Sequence, residues 1–329
     1  MHAELPSWPT HTFRAMGSQI TLWLETDADS ANDAFARVEA LFAANERTLS
    51  RFDAASELSA LNRCGGEWCG VSPLLWDVVK QALALAARTG GLFDPTLLNA
   101  LEAAGYTRSF ALMQTEGEPR GQAISPEPPR QHNGWSAVAL DQNGPAIKLP
   151  ADVRLDLGGI GKGYTAQQAV ELLAPWGPCL VDAGGDIVAG PAPRELPGWP
   201  VAVAAPSAGD QLETGAVAQP PAADLLQLWL AEAALATSGV DYRRWRQAGR
   251  WRHHLIDPRS GEPAETDLLT VSVLHKNAAS AEAWAKAALL LGMNAGWERL
   301  TQHNLAAVLA GTDGQVLLTQ PMAEWQSRE

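Results

Sequence analysis

From 12 to 24 the chain alternates apolar and polar residues around a glycine (FRAMGSQITLWL), which predicts a strand. Between 31 and 47 the rhythm changes. Ala34, Phe35, Val38, Leu41 and Phe42 recur at intervals of three and four, the spacing of an amphipathic helix. Further helices are predicted over 58–62, over 73–88 with Pro73 in its first turn and Gly90-Gly91 at its stop, and over 95–104. Short strand-like runs follow at 137–140, 146–149 and 154–157, then a helix through 166–173 and a strand at 179–183 closed by Gly184-Gly185-Asp186. The remaining third predicts strands at 199–205, 235–237, 252–256 and 268–275 and a helix over 279–291. It ends in a hairpin of 306–310 with 316–319 around Thr312-Asp313-Gly314. Two Pro/Gly-rich stretches, 108–134 and 190–222, predict surface loops or insertions. Strands and helices interleave throughout, which predicts an α/β or α+β architecture, two interleaved halves around mixed sheets.

Composition narrows the function. With 329 residues, 46 % hydrophobic and 19 % charged, the chain has the balance of a globular protein, large enough for one big domain or two halves sharing a core. Its formal charge of −13 excludes a general nucleic-acid binder, so a phosphate-bearing ligand must be held by local donors, helix N-termini or a metal rather than by the overall field. Cys64, Cys69 and Cys179 lack CxxC spacing and read as reduced thiols. No run approaches ~18 consecutive apolar residues, so no transmembrane segment is expected. Residues 1–13 carry neither a basic n-region nor an apolar h-region. The sequence as it stands therefore reads as cytoplasmic, and as periplasmic only if a signal peptide had been removed.

Three segments carry candidate chemistry. DLGGIGKGY at 156–164 packs four glycines into 158–163, ahead of a helix whose first amides favour an anion, with Lys162 adding a charge. It matches neither a P-loop, since Gly163 follows the lysine and Asp156 replaces the first glycine, nor a strict GxGxxG. A tight strand-to-helix turn with a surface lysine is the competing reading. In HLIDPRSG at 254–261, His254 at a strand end suits acid–base work, while Asp257 either supports it or caps the turn before Pro258. Glu282 and Lys286 share one helix face and by default form a surface i,i+4 pair.

In order, AMGS (15–18), SRF…SELSALN (50–62), GLFDPT (91–96), DLGGIGKGY (156–164), VDAGGDI (181–187), ATSGVDY (236–242), HLIDPRSG (254–261) and AEAWAKAALLLG (281–292) resemble the ApbE family of flavin transferases across nearly the whole chain. The resemblance implies one ApbE-like domain over 12–320, with 1–11 and 321–329 as tails. It implies FAD as substrate, cleavage of its pyrophosphate, transfer of FMN to a Ser or Thr of an acceptor flavoprotein subunit, release of AMP, and Mg²⁺. By motif position, Met16 and Phe52 would flank the flavin, Leu92, Phe93 and Asp94 would contact the cofactor, and Asp156 and Lys162 would hold the nucleotide. Ile256 would pack on the cofactor, His254 would be the general base, and Gly159 (through its carbonyl) and Glu282 would supply metal ligands. The family's helix pairs Asp with Thr where this chain has Glu282 and Lys286. Glutamate keeps an oxygen ligand, but an ammonium repels a divalent cation, or takes its place beside the pyrophosphate. The alternative implied by Lys286 is an FAD-binding relative without transferase activity, a carrier or a hydrolase.

Overall fold

The computed structural model describes residues 7–110, 112–113, 134–206, 224–241, 243–247 and 249–325. Much of both Pro/Gly-rich stretches therefore lies outside the described residues.

Strands β1 (Thr10–Ala15) and β2 (Ser18–Leu24) form a hairpin across Met16-Gly17, both at positive φ (50° and 69°). Helix α1 (Ala28–Leu49) starts where Asp27 accepts the Ser30 N–H at 3.0 Å, and it buries the predicted Ala34, Phe35, Val38 and Phe42 stripe. Helix α2 (Glu57–Arg63), strand β3 (Trp68–Gly70) and helix α3 (Pro73–Arg88) follow. Ser72 caps α3, and proline sits in its first turn as expected. Next come α4 (Leu98–Ala103), β4 (Ala139–Leu140), β5 (Ala146–Lys148), α5 (Gly161–Leu173), β6 (Cys179–Ala183) and β7 (Ile187–Ala189). Then β8 (Trp199–Ala204), β9 (Asp224–Leu230), β10 (Ala233–Gly239), β11 (Arg244–Gln247) and β12 (Arg250–His253) form, before β13 (Leu268–His275). Helices α6 (Ala278–Leu291) and α7 (Met293–Gln302) and strands β14 (Ala306–Gly311) and β15 (Val316–Leu318) complete the order.

The main sheet runs β1-β2-β6-β7-β10-β13-β14-β15, and every ladder in it is antiparallel. The fold is thus α+β. The expected mixed sheet is instead antiparallel throughout: tight turns join β1 to β2 and β6 to β7, and the α6–α7 pair returns the chain antiparallel from β13 to β14. Side-chain alternation sends the two sheet faces into different cores. Val181 and Ala183 meet α1 and α5, while Leu180, Leu235, Leu274 and Val308 meet the β8–β9 ribbon. Both faces are covered, so β13 is buried along nearly its whole length and reads as a continuous apolar run. The 154–157 run makes only a parallel bridge from Arg154 to Leu97, and the 252–256 strand ends early, at His253. The three cysteines are free thiols, with the Cys64 and Cys69 sulfurs 2.8 Å apart.

Two asparagines, Asn45 buried and Asn62 half-buried, set the glycine turn in place. Asn45 of α1 donates to Thr165 Oγ1 (3.0 Å) and Gln168 Oε1 (2.8 Å), which ties α1 to α5. Asn62 of α2 brackets Leu155, donating to its carbonyl at 2.9 Å and accepting its N–H at 2.7 Å.

Candidate functional site

The turn enters α5 without a side-chain cap at Ile160, so its first amides have no side-chain acceptor. Asp156 is fully engaged. It accepts the Gly158 N–H at 2.8 Å and forms an ion pair with Arg51 Nε. Arg51 also donates to the Tyr106 carbonyl at 3.0 Å and lies over the rings of Phe52 (4.0 Å) and Tyr106 (4.6 Å). Its Nη2 is buried and unpartnered.

Lys162 is not a surface lysine. It is buried, 2.5 Å from Asp186 and 3.9 Å from Glu282. Burial opposes its charge, but Asp186 and Glu282 outweigh burial and hold its pKa above the usual value. Asp186 is delivered by the β6–β7 turn, where Gly184 and Gly185 take positive φ. A Cβ on Gly184 would strike Ser18 at 2.8 Å, so glycine lets this turn abut the β1–β2 hairpin.

Helix α6 is buried from Ala278 to Leu290 except at Lys286, so the expected surface helix with an exposed i,i+4 pair is corrected. Glu282 turns to Lys162, and burial pushes its carboxyl above the usual range against the pull of that ammonium. Its Oε2 has no partner. Lys286 instead reaches the glycine turn. A Cβ on Gly159 would lie 2.2 Å from its Nζ and 3.2 Å from Phe93 Cε2, and the Phe93 ring centroid is 5.4 Å from the ammonium.

His254 follows β12 and is held well below the ordinary histidine range by burial, then by Arg243 and Lys286. It is therefore neutral near pH 7, and its Nδ1 has no partner. Asp257 does not assist it. That carboxylate caps its own turn through the Arg259 N–H (2.8 Å) and pairs with the Arg259 guanidinium, which settles the alternative left open for this segment. Ile256 packs with Tyr106 and Trp245.

The structure thus gathers Gly159, Phe93, Lys162, Glu282 and His254, with Met16 Cε at 3.8 Å from a Cβ on Gly161 and Phe52 stacked beside Arg51. Leu92 lies in a core cluster with Ala287 and Leu290, and Asp94 accepts the Thr96 N–H at 2.8 Å and its hydroxyl at 2.5 Å. Sequence reasoning missed Arg51, Tyr106, Asp186 and Arg243. The first and third lay inside quoted motifs and had a signal; Arg243 sits in an arginine run that conceals it. Three buried polar atoms without partners, on Arg51, His254 and Glu282, surround one glycine turn.

An α+β protein whose strand turns and helix ends converge on a glycine-rich anion cradle is the class this geometry defines. A profile of the ApbE family matches residues 16–309, and the chain belongs to that family. Among relatives, an FAD:protein FMN transferase of Treponema pallidum is 28 % identical over 288 residues, covering 83 % of this chain and 75 % of that protein. One of Escherichia coli K12 is 24 % identical over 92 % of this chain and 83 % of its own length. Among solved structures, the apo flavinyl transferase ApbE of Pseudomonas stutzeri superposes with a TM-score of 0.80 at 23 % identity, covering 98 % of both chains. An ApbE protein of Thermotoga maritima gives 0.82 at 21 % identity, covering 98 % of this chain and all of that one (100 %). These two share the fold.

The donor set does not fit the Mg²⁺ implied by the resemblance. Among the described residues no group of three or more His, Cys, Asp or Glu side chains is placed to hold a metal. The Glu282 carboxylate lies 3.9 Å from the Lys162 ammonium and also feels Lys286, Asp186 is taken by Lys162, and the Lys286 ammonium stands beside Gly159, whose carbonyl was the second expected ligand. A divalent ion ~4 Å from one ammonium would meet repulsion of roughly 8 kcal/mol at an effective dielectric of 20.

Proposed function

We propose that this protein is an FAD:protein FMN transferase acting as one unit over 12–320. It attaches FMN from FAD to a Ser or Thr hydroxyl of an acceptor protein and releases AMP. The observation that carries the reading is the family match over residues 16–309, together with the half-buried His254 whose ring meets Tyr106 edge-on, beside the Arg51–Asp156 pair of the glycine turn. The α5 amides and Arg51 Nη2 hold the pyrophosphate oxygens, and Phe52 and Met16 bound the flavin side. The acceptor oxygen attacks the FMN phosphorus while the bond to the AMP phosphate oxygen breaks. The His254 imidazole takes the hydroxyl proton. Bound pyrophosphate also strengthens this base. Burial is the first cause of the low His254 pKa, and the negative charges of pyrophosphate offset Arg243 and Lys286, the cations that add to it.

The test is incubation with FAD and a Ser/Thr-bearing acceptor. One AMP released per fluorescent acceptor formed is expected. FAD uptake with no AMP under any acceptor would leave a flavin carrier, and AMP without labelled acceptor would leave a hydrolase.

A further inference from the structure

We infer that the ammonium of Lys286 is this chain's resident counter-charge for the FAD pyrophosphate, so that cofactor binding and transfer need no divalent cation. The inference rests on the FAD reading above.

Lys286 is the one residue of α6 between Ala278 and Leu290 that is not buried, and it opens toward the glycine turn. The carboxylate one turn before it, Glu282, feels its charge but makes its ion pair with Lys162. Among the described residues Lys286 forms no ion pair, whereas Lys162 on the facing helix is bound to Asp186 at 2.5 Å. Its position is nevertheless defined. The missing side chain of Gly159 makes room for the Nζ, and the Phe93 ring centroid lies 5.4 Å from it. A positioned cation lacking a protein anion, at a helix entrance shaped for anions, is completed by a ligand with negative charge there. The phosphates of FAD are that charge. The same ammonium stands beside Gly159, where a divalent cation bound by that residue's carbonyl would meet its charge.

The test measures FAD binding by flavin fluorescence quenching, in excess EDTA and in Mg²⁺, separately from turnover. Wild type should bind FAD equally in both, and Mg²⁺ titrated calorimetrically into the protein should give no binding heat. Lys286→Thr should bind FAD about 10- to 100-fold more weakly in EDTA, the worth of one charge-assisted contact, and should recover when Mg²⁺ is added. Gly159→Ala, which moves the ammonium without removing it, should weaken FAD binding with no gain from Mg²⁺; circular dichroism checks that both variants fold. Wild-type binding that collapses in EDTA would overturn the inference and leave the transferase reading intact. So would Lys286→Thr matching wild type in EDTA. Failure of wild type to bind FAD in either condition would overturn both, while tight binding in EDTA without AMP release would overturn only the transfer reaction.

Discussion

Two lysines on adjoining helices, Lys162 of α5 and Lys286 of α6, have opposite surroundings. Lys162 is buried with Asp186 at 2.5 Å and Glu282 at 3.9 Å, so its charge is cancelled inside the protein. Lys286 is half-buried, rests on Gly159 and Phe93, and has no carboxylate partner among the described residues. A buried charge must be compensated where it stands, and a charge at a cleft can be compensated by what enters. We therefore propose that the first lysine serves the framework and the second the chemistry. Position in the glycine motif suggested the reverse, since Lys162 is the residue the turn appears to offer to phosphate.

The largest expected effect tests the chemical side of this division. His254→Gln removes the base without altering either lysine, and should lower the transfer rate by about 10²–10⁴ while FAD affinity in EDTA stays near wild type. A rate within a few-fold of wild type would remove His254 from the mechanism and leave the open cation with only a binding role. Next comes the framework side. Lys162→Met should destabilise the protein by about 3–5 kcal/mol in urea unfolding, because it leaves Asp186 buried and unpaired. A compensating Lys162→Met/Asp186→Leu pair should recover much of that loss. A Lys162→Met protein of normal stability that binds FAD poorly would reverse the assignment of the two lysines.

Where local pattern and tertiary environment agreed, the elements were legible from the sequence. Helix α3 begins at Pro73 and ends at Arg88 as its proline and glycine signals predict, and β13 matches its apolar run from 268 to 275. Sheet direction was not legible, because a buried strand reads alike in parallel and antiparallel sheets. The gathering of the site was legible through motif order, its charges less so. No sequence spacing tells that Glu282 reaches across to Lys162 rather than down its own helix to Lys286, or that Arg51 has closed on Asp156. Those outcomes depend on how α5, α6 and the 50–53 segment pack, which is a matter of long-range contact. Asp257 shows the converse: its turn chemistry is local, and the capping role is visible beside Pro258.

The smallest effect separates framework from site within two adjacent histidines. His253 Nε2 lies 3.0 Å from the Ala264 carbonyl, and its Nδ1 accepts the Leu255 N–H at 3.3 Å, so the neutral ring with hydrogen on Nε2 satisfies both. Burial, opposed by the Ala264 bond and reinforced by Arg244 and Arg252, pulls its pKa down to about 4. The unfolded chain, with a histidine near 6.5, then binds more protons than the native state between those values. Stability contributed by this neutral ring is complete above about pH 6.5 and is lost as pH falls toward 4, at no more than ~1.4 kcal/mol per pH unit. His254 slopes the same way, because its pKa is also depressed, but bound FAD should relieve its share by neutralising Arg243 and Lys286. His253 touches backbone rather than the cleft, so FAD should leave its share unchanged. Thermal melts of wild type and His253→Gln between about pH 7 and pH 5, with and without FAD, measure the two shares. The variant should show a shallower acid slope in both conditions, and FAD should flatten the slope that remains in it. An acid slope untouched by His253→Gln would place the depressed titration elsewhere, and one insensitive to FAD would detach His254 from the ligand it is proposed to serve.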